Sequence, residues 1–362
     1  MKIVAVVGAR PNFVKMAPIL AELREYPYFS TTLVHTGQHY DARMSDAFFA
    51  NLEMPSPDVN LNVKAVGGVA QIAEIMTRFE SVLTSRRPDM VLVVGDVTST
   101  LATALTAVKV GCPVAHVEAG LRSFDRTMPE EVNRVLTDSI SELLFTTEPV
   151  AAENLAREGV PSERIHFVGN VMIDSLFRYR EQARDSDVLE RVRVEPGAYA
   201  TLTLHRPSNV DDEGNLGMLL GAIARIQAEI PVVFPVHPRT RKRLDSLAPV
   251  LPPMPGLRLV DPLPYLDFLQ LMANSRCVLT DSGGIQEETT ALRIPCLTLR
   301  NNTERPITVT RGSNRIIGTS QDAIYESWRV VVEDRWPAGE LPELWDGKAA
   351  GRVVRVLLGL GR

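Results

Sequence analysis

The stretch Ile3-Val4-Ala5-Val6-Val7-Gly8-Ala9-Arg10-Pro11 joins an apolar run to a glycine turn and then to a segment with helical apolar spacing. Such a run is typical of a buried parallel strand, and the glycine lets the chain turn directly into a helix. The pattern recurs through the first half of the chain. Strand-like runs lie at residues 31–35, 90–94, 114–117 and 143–146, and helix-like segments lie at residues 13–25, 69–85, 100–110 and 130–142. This alternation predicts strand–helix–strand units around a parallel sheet.

The same alternation restarts after a charged stretch at residues 178–193. Its strand-like runs lie at residues 199–204, 232–236, 257–260, 277–280 and 296–299. A chain of 362 residues also exceeds what one hydrophobic core usually supports. We therefore predict an α/β protein with two Rossmann-like doubly wound domains facing a cleft, at residues 1–175 and 190–340, and a C-terminal helix within residues 341–362 that packs back on the domains.

Composition excludes several classes of function. The net charge of −5 and the pI near 5.8 give no basic field for nucleic acid or anionic lipid. We expect a soluble, cytoplasmic protein, because the sequence has no pattern typical of a signal peptide and no uncharged apolar run of about 18 residues. Cys112, Cys277 and Cys296 lie far apart in apolar surroundings, which favours free thiols over a disulfide framework or a metal site.

Ligands of doubly wound sheets bind at the carboxyl ends of the strands, and acidic residues follow several predicted strands of the first half. Asp96 follows the third strand, Glu118 the fourth, and Glu130 begins the next helix. Asp96 alone could simply cap the helix after it, a role that fits Glu118 poorly. If the three carboxylates gather at one rim, their mutual repulsion favours general acid and base chemistry.

The second half carries groups suited to a phosphate. His205-Arg206 and His237-Pro238-Arg239 each follow a predicted strand. In Thr280-Asp281-Ser282-Gly283-Gly284-Ile285-Gln286-Glu287-Glu288, the Ser-Gly-Gly turn frees backbone amides to bind phosphate oxygens, and Glu288 could accept both hydroxyl hydrogens of a ribose. A glycine-rich packing turn is the plainer alternative. The spacing of a P-loop is absent, which favours a nucleotide diphosphate over a triphosphate.

Together these motifs resemble the non-hydrolysing UDP-N-acetylglucosamine 2-epimerases. The resemblance runs from about residue 3 to 318 and also includes Thr36-Gly37-Gln38-His39, His116 to Arg122, Pro129 to Arg134 and Asn302-Thr303-Glu304-Arg305-Pro306. It implies a fold similar to the GT-B glycosyltransferases, a cytoplasmic homodimer, and no metal or other cofactor. It also implies reversible epimerisation at carbon 2 of UDP-N-acetylglucosamine, by elimination of UDP to a 2-acetamidoglucal and re-addition, feeding surface polysaccharide synthesis.

The resemblance assigns roles to individual residues. It implies that Asp96, Glu118 and Glu130 surround the hexose and, with His205, are catalytic, although helix phase decides whether Glu130 or Glu131 faces inward. The residues implied to bind the substrate are Arg10, Lys15, Arg134, Leu263, Phe268, Ser282, Gly283, Gly284, Glu288 and Arg305. Arg10, the amides of residues 282–284 and also His205 would hold the diphosphate. Glu288 would hold the ribose, and Phe268 with the backbone near Leu263 would hold the uracil.

Two departures from the family leave alternatives open. This chain has His205-Arg206-Pro207-Ser208-Asn209 where many members have His-Arg-Arg-Glu-Asn, and Tyr40-Asp41 where regulated members usually carry Arg or Gln. Gln38, His39, Arg206 and His237 are the candidates for an allosteric site. The alternatives are a 2-epimerase of UDP-diacetamido uronic acid sugars, a GT-B glycosyltransferase, a hydrolysing epimerase and an inactive sugar-nucleotide sensor.

Overall fold

Parallel pairing of apolar strands organises both halves of the chain. The computed structural model describes residues 1–37, 52–65, 67–247 and 253–360. It divides into two units, one made of Met1–Arg178 with Glu343–Arg362 and the other of Tyr179–Pro342. Both units alternate strands with helices around a parallel sheet, so the α/β prediction is confirmed.

The first unit contains a sheet with the strand order β3-β2-β1-β4-β5-β6-β7 in the described residues. Its strands are β1 (Lys2–Val7), β2 (Ser30–His35), β3 (Val59–Asn60), β4 (Met90–Val94), β5 (Val114–Ala119), β6 (Leu143–Thr146) and β7 (Ile165–Phe167). Its helices up to the division of the chain are α1 (Arg10–Arg24), α2 (Gly68–Arg86), α3 (Thr98–Lys109), α4 (Pro129–Ile140) and α5 (Pro149–Arg157), and α6 (Val171–Ala183) contains the division itself.

The second unit contains a parallel sheet with the order β10-β9-β8-β11-β12-β13. Its strands are β8 (Ala200–Thr203), β9 (Val232–Pro235), β10 (Leu257–Val260), β11 (Cys277–Thr280), β12 (Cys296–Thr298) and β13 (Asn314–Ile316). Its helices are α7 (Val188–Arg191), α8 (Pro207–Val210), α9 (Glu213–Ile226), α10 (Pro238–Leu247), α11 (Tyr265–Ala273), α12 (Gly283–Leu292), α13 (Pro306–Thr310) and α14 (Gln321–Val332).

Strand burial explains why the sequence forms these sheets. In β4 every residue is buried, and in β1 every residue after Lys2 is buried. Helices on both faces of a parallel sheet exclude water from both sides, so such strands need continuous apolar runs. Val91 of β4 pairs with Val4 of β1 and with Val114 of β5, and this pairing lies within the main hydrophobic core of the unit.

In each sheet, the order in which successive strands are added reverses at one point. In the first unit this point lies between β1 and β4, and in the second it lies between β8 and β11. Loops that leave neighbouring strands at such a switch point diverge, and ligands of doubly wound sheets bind in the crevice that results. The residues placed there are Gly8, Gly95 and Asp96 in the first unit, and His205 and Asp281 in the second.

The C-terminal segment belongs to the first unit. Helix α15 (Ala349–Gly359) packs against α1, and its first two amides donate to the Asp174 carboxylate at 3.1 and 2.7 Å. The indole Nε1 of Trp345 donates to the carbonyl of Thr147 at 3.0 Å. Within the described residues, no helix has both the length and the apolar content needed to cross a bilayer.

The strands predicted at residues 90–94, 143–146, 257–260 and 277–280 are confirmed with the same bounds. Three strands of two or three residues were not predicted, namely β3, β7 and β13. The charged stretch also contains the short helix α7, whose Val188 packs in a small core with Tyr199 and Leu271. Strands this short and isolated apolar residues among charges give no readable periodicity.

Candidate functional site

A buried ion pair joins helix α1 to the end of strand β5. Lys15, on α1, and Glu118, on β5, are 4% and 3% exposed. The Lys15 Nζ lies 2.6 Å from both carboxylate oxygens of Glu118. Asn12 fixes the same turn, because its Oδ1 accepts from the amides of Gly8 and Ala9 while its Nδ2 donates to the Val94 carbonyl at 2.9 Å. The turns after β1 and β4 are therefore held together at the switch point.

The backbone at Glu118 is unusual for a residue with a side chain. Its φ is +73°, in the left-handed region, and the pairing of β5 with β6 shifts register between Val117 and Ala119. A non-glycine residue in this region costs of order 1–3 kcal/mol, and such strain clusters at functional sites. The irregularity turns the Glu118 carboxylate to Lys15, where a regular strand would alternate its side chains across the sheet.

Asp96 is held by helix α4. Its carboxylate accepts from Nε of Arg134 at 3.2 Å and from the Nη2 of the same guanidinium, and its carbonyl accepts from Asn133 Nδ2 at 2.9 Å. The residue at the N-cap of α3 is Val97, and no side chain caps that helix. Asp96 lies one residue before this N-cap, and its carboxylate is paired with Arg134.

Helix phase separates the two adjacent glutamates of α4. Glu131 is 2% exposed, and its carboxylate accepts from the amides of Ser123 and Phe124, both at 2.9 Å, as well as from Arg134. Glu130 is half-buried and makes no hydrogen bond or ion pair with the described residues. Glu131 thus closes the loop before its own helix, while the Glu130 carboxylate is left available to a ligand.

In the second unit a buried aspartate orients a histidine. Asp281 is 0% exposed, and its carboxylate accepts from the amides of His205 and Arg206 and from Asn209 Nδ2, at 3.0 to 3.2 Å. The His205 Nδ1 lies 2.7 Å from Asp281 Oδ1, and the imidazole is 59% exposed. Burial opposes ionisation of Asp281, but the bond from His205 and the two amides hold its pKa below the usual range. Because Nδ1 faces the aspartate, Nε2 is the ring nitrogen that faces outward.

The Ser-Gly-Gly turn begins helix α12 over a buried charge network. Ser282 is the N-cap, and its amide donates to Thr280 Oγ1 at 3.0 Å. The next two amides, of Gly283 and Gly284, belong to the first helical turn, where amides lack carbonyl partners within the helix. A Cβ added at Gly283 would lie 2.5 Å from Glu304 Oε1 and 2.8 Å from Arg305 Nη1. Glycine is required here for that close approach.

The charges behind Gly283 are paired with one another. Glu304 accepts from Arg300 Nη2 at 2.8 Å and from Arg305 Nη1 at 2.7 Å, and Arg305 Nε lies 2.9 Å from Glu287 Oε1. Burial opposes ionisation of Glu304, yet Arg305 and Arg300 hold its pKa well below the usual range. Two arginines against two buried carboxylates fix the Arg305 guanidinium beneath the start of α12.

Glu288 lies one turn further along α12. It is 6% exposed, and its Oε1 accepts from the Tyr265 hydroxyl at 3.2 Å. Burial raises the pKa of Glu288 to about 8, and the neighbouring Glu287 adds to this while the Tyr265 hydrogen bond opposes it. A carboxyl group in this state can exchange its proton for hydrogen bonds from a ligand.

The remaining predicted residues are placed as follows. Gln38 and His39 lie outside the described residues, as does the side chain of Arg10. Arg206 contacts the residues around the Ser-Gly-Gly turn. Its Nε donates to the Asp281 carbonyl at 3.1 Å, and its Nη2 lies 3.6 Å from Glu304 Oε1. His237 is exposed after β9. Leu263 packs on the smaller core of the second unit, and Phe268 is half-buried on α11.

Four residues that make these contacts were given no role from the sequence. Asn133 and Asp281 hold Asp96 and His205, while Asn12 and Tyr265 hold the first turn and Glu288. The available signal was position alone, since Asp281 follows a predicted strand directly and Asn133 lies one residue before Arg134. Their partners are far away in the sequence, which is why spacing did not identify them.

Two parallel sheets with charged and polar loops at their switch points are typical of α/β enzymes that bind nucleotides. The family follows from comparison. Residues 21–358 match the family model described as UDP-N-acetylglucosamine 2-epimerase, and the chain belongs to that family of isomerases.

Known relatives cover the whole length of the chain. A protein of Methanococcus maripaludis named UDP-N-acetylglucosamine 2-epimerase homolog is 42% identical over 99% of this chain and 100% of its own. The Pseudomonas aeruginosa UDP-2,3-diacetamido-2,3-dideoxy-D-glucuronate 2-epimerase is 40% identical over 99% of each. The crystal structure of the Methanocaldococcus jannaschii UDP-GlcNAc 2-epimerase in complex with UDP-GlcNAc and UDP has a TM-score of 0.92 at 38% identity, over 99% of this chain and 100% of that one. Such structural neighbours have the GT-B-like fold.

Proposed function

We propose that this chain interconverts UDP-N-acetylglucosamine and UDP-N-acetylmannosamine by eliminating UDP and adding it back. The proton on carbon 2 of the sugar is not acidic, because the neighbouring carbon is an acetal and not a ketone. Loss of UDP from carbon 1 together with that proton avoids a free carbanion. The family match and the relative crystallised with UDP-GlcNAc and UDP support this choice of reaction and substrate.

The observation that carries the proposal is the pair of carboxylates at the ends of β4 and β5. Glu118 and Asp96 each have their own cation, Lys15 and Arg134, and Glu130 lies in the first turn of α4, the helix that carries Arg134. A site that removes a proton from one face of a carbon and returns it to the other needs two groups that can hold a proton. Asp96 and Glu118 meet that need, and Glu130 is a third candidate for the same role.

The second unit supplies groups suited to a leaving diphosphate. The first amides of α12 and the Arg305 guanidinium present N–H donors, and His205 turns its Nε2 outward. Donors fixed before the reaction stabilise charge that develops on the leaving oxygen without having to reorganise. Glu288 would accept the ribose hydroxyls, and Phe268 with the backbone near Leu263 would contact the uracil.

The proposed reaction has an elimination step and an addition step. A carboxylate takes the carbon 2 proton, the electrons of that C–H bond form the C1=C2 double bond, and the C1–O bond breaks with its electrons leaving on UDP. In the return step a UDP oxygen attacks carbon 1, and a carboxylic acid on the opposite face protonates carbon 2. The base then holds a proton that exchanges with solvent.

Proton NMR in heavy water tests the proposal directly. With UDP-N-acetylglucosamine as the sole substrate, we expect deuterium at carbon 2 of both sugars, the appearance of the manno epimer, and no accumulation of free UDP. Accumulating UDP with free N-acetylmannosamine would instead identify a hydrolysing epimerase. Transfer that requires an acceptor would identify a glycosyltransferase, and binding without exchange a sensor.

A UDP-diacetamido uronic acid is the second candidate substrate. It is favoured by the relative named for that sugar, 40% identical, and by Pro207-Ser208 where many members have Arg-Glu. Against it, Thr303-Glu304-Arg305-Pro306 matches the N-acetylglucosamine enzymes. Running the same NMR experiment on both sugars separates the two, because only the true substrate exchanges its carbon 2 proton at a catalytic rate.

We further propose a cytoplasmic homodimer on the family resemblance, which light scattering on the purified chain tests. An allosteric role for Arg206 and His237, with Gln38 and His39, also stays a proposal. The bonds from Arg206 to Asp281 and Glu304 support a simpler role for Arg206, as part of the frame that holds His205. A hyperbolic dependence of rate on UDP-N-acetylglucosamine would favour the simpler role.

A further inference from the structure

His116 is a fully buried histidine whose two ring nitrogens both face hydrogen-bond partners. It lies on β5, two residues before Glu118, and is 0% exposed. Its Nε2 lies 2.8 Å from the carbonyl oxygen of Gly95, and its Nδ1 lies 2.7 Å from Oδ1 of Asp138 on α4. The reaction proposed above uses neither His116 nor Asp138.

The partners fix the hydrogens on the ring. A carbonyl oxygen can only accept, so Nε2 carries a hydrogen. The other Asp138 oxygen accepts from the Gly120 amide at 3.0 Å and from Arg122 Nη1 at 2.7 Å, as a carboxylate does. Burial opposes ionisation of Asp138, but His116 and Arg122 hold its pKa below the usual range. The His116 ring and the Arg122 guanidinium thus contact the two oxygens of one buried carboxylate.

The contact with the Gly95 carbonyl connects His116 to the proposed reaction. Gly95 has a φ of +67° and directly precedes Asp96, and a Cβ at this position would lie 3.2 Å from Lys15 Nζ. The Asp96 carboxylate and carbonyl are held from α4, while the Gly95 carbonyl is held from β5 by His116. One ring thus ties the loop of Asp96 to the strand of Glu118.

We propose that His116 is a positioning residue that sets the spacing between the Asp96 and Glu118 carboxylates by bonding Gly95 and Asp138 at once. Its effect on rate rests on the proposed function. A neutral side chain with a single amide cannot donate to both acceptors in the same geometry. Displacing a reacting group by about 1 Å can cost on the order of 100-fold in rate, which sets the size of the expected effect.

The kinetic test compares His116→Gln with Glu158→Gln. Glu158 belongs to the same charge network, since its carboxylate accepts from Arg122 Nε and Nη2 at 2.7 and 2.6 Å, but its side chain is 39% exposed and does not touch His116. We expect His116→Gln to lower kcat by about 100-fold with KM and the Kd for UDP within about threefold of wild type. Glu158→Gln should keep kcat within about twofold, because the Glu158 side chain is partly exposed and bonds neither Gly95 nor Asp138.

Either of two results overturns the proposal: wild-type kcat in His116→Gln, or an equal loss of kcat in both variants. If His116→Gln does not fold, Asp138→Asn replaces it in the same comparison.

The outcome stays distinct from that of the proposed function. If wild-type enzyme exchanges no carbon 2 proton, the proposed function fails. Amide hydrogen exchange at residues 95–96 and 118–120 then still decides the positioning role, because we expect it to accelerate in His116→Gln and not in Glu158→Gln. Unchanged exchange in both variants refutes that role.

Discussion

Substituting alanine for Gly283 tests the contact between the start of α12 and the charges behind it. The new Cβ would lie 2.5 Å from Glu304 Oε1, 2.8 Å from Arg305 Nη1 and 3.1 Å from Arg305 Cζ. Real Cβ atoms do not approach other heavy atoms below about 3.0 Å, so at least one group must move. Neither side chain swings freely, since Glu304 is also bonded to Arg300 and Arg305 to Glu287.

The magnitude follows from opposing effects. Alanine is better than glycine inside a helix by about 0.5–1 kcal/mol. Overpacking a filled site costs about 1–3 kcal/mol, and breaking a buried ion pair costs about 3–5 kcal/mol. If the network shifts without breaking, Gly283→Ala should lower the free energy of unfolding by about 1–2 kcal/mol. The displaced Arg305 should also weaken UDP binding at least tenfold, which is about 1.4 kcal/mol.

Urea denaturation and calorimetric titration with UDP measure the two effects. Gly217→Ala is the matched control, because Gly217 lies inside α9 and an added Cβ there meets nothing within 4 Å. We expect this control to gain about 0.5–1 kcal/mol of stability and to bind UDP as wild type does. If Gly283→Ala behaves like the control in both assays, the close approach at Gly283 has neither structural nor functional weight.

Three further substitutions test the paired groups. Lys15→Met removes the lysine partner of the buried Glu118 carboxylate and should lower the free energy of unfolding by about 3–5 kcal/mol. The double variant Lys15→Met/Glu118→Leu should recover most of that loss. A loss below about 1 kcal/mol for Lys15→Met in urea denaturation contradicts this prediction. Asp281→Asn should lower kcat 10- to 100-fold with little change in fold, because His205 loses the carboxylate that orients it, and an unchanged kcat would remove that role. Since the pKa of Glu288 is raised to about 8, unliganded enzyme holds its proton below that pH and ribose binding displaces it, so the Kd for UDP should fall as pH rises from about 6 to 8. Calorimetry in buffers of different ionisation enthalpy detects the released proton, and Glu288→Gln should release one fewer.

Strand positions were the most predictable part of this fold. The strands at Met90–Val94 and Cys277–Thr280 are buried at every residue, so their continuous apolar runs are visible in the sequence. Strand β7, with three half-buried residues, leaves no such run. Burial on both faces therefore decides which strands a sequence reveals.

The candidate site was predictable by location and less so by contact. Asp96 was expected to follow a strand and does, but its partner Arg134 lies 38 positions away, and spacing does not reveal that contact. Spacing could not choose between Glu130 and Glu131 either. The position of α4 against its loop turns Glu131 to the amides of Ser123 and Phe124 and leaves Glu130 half-buried.

The sequence by itself determined the parallel α/β architecture and the loops that carry the polar groups. The reason is that both are local: a strand buried on two faces must be apolar throughout, and its carboxyl end follows it directly. Only the tertiary structure decided which charge neutralises which. Lys15 and Glu118 lie 103 positions apart, and the His205 amide and Asp281 lie 76 apart. Contacts across such separations are made when strands take their places in the sheet, and no local pattern of residues encodes them.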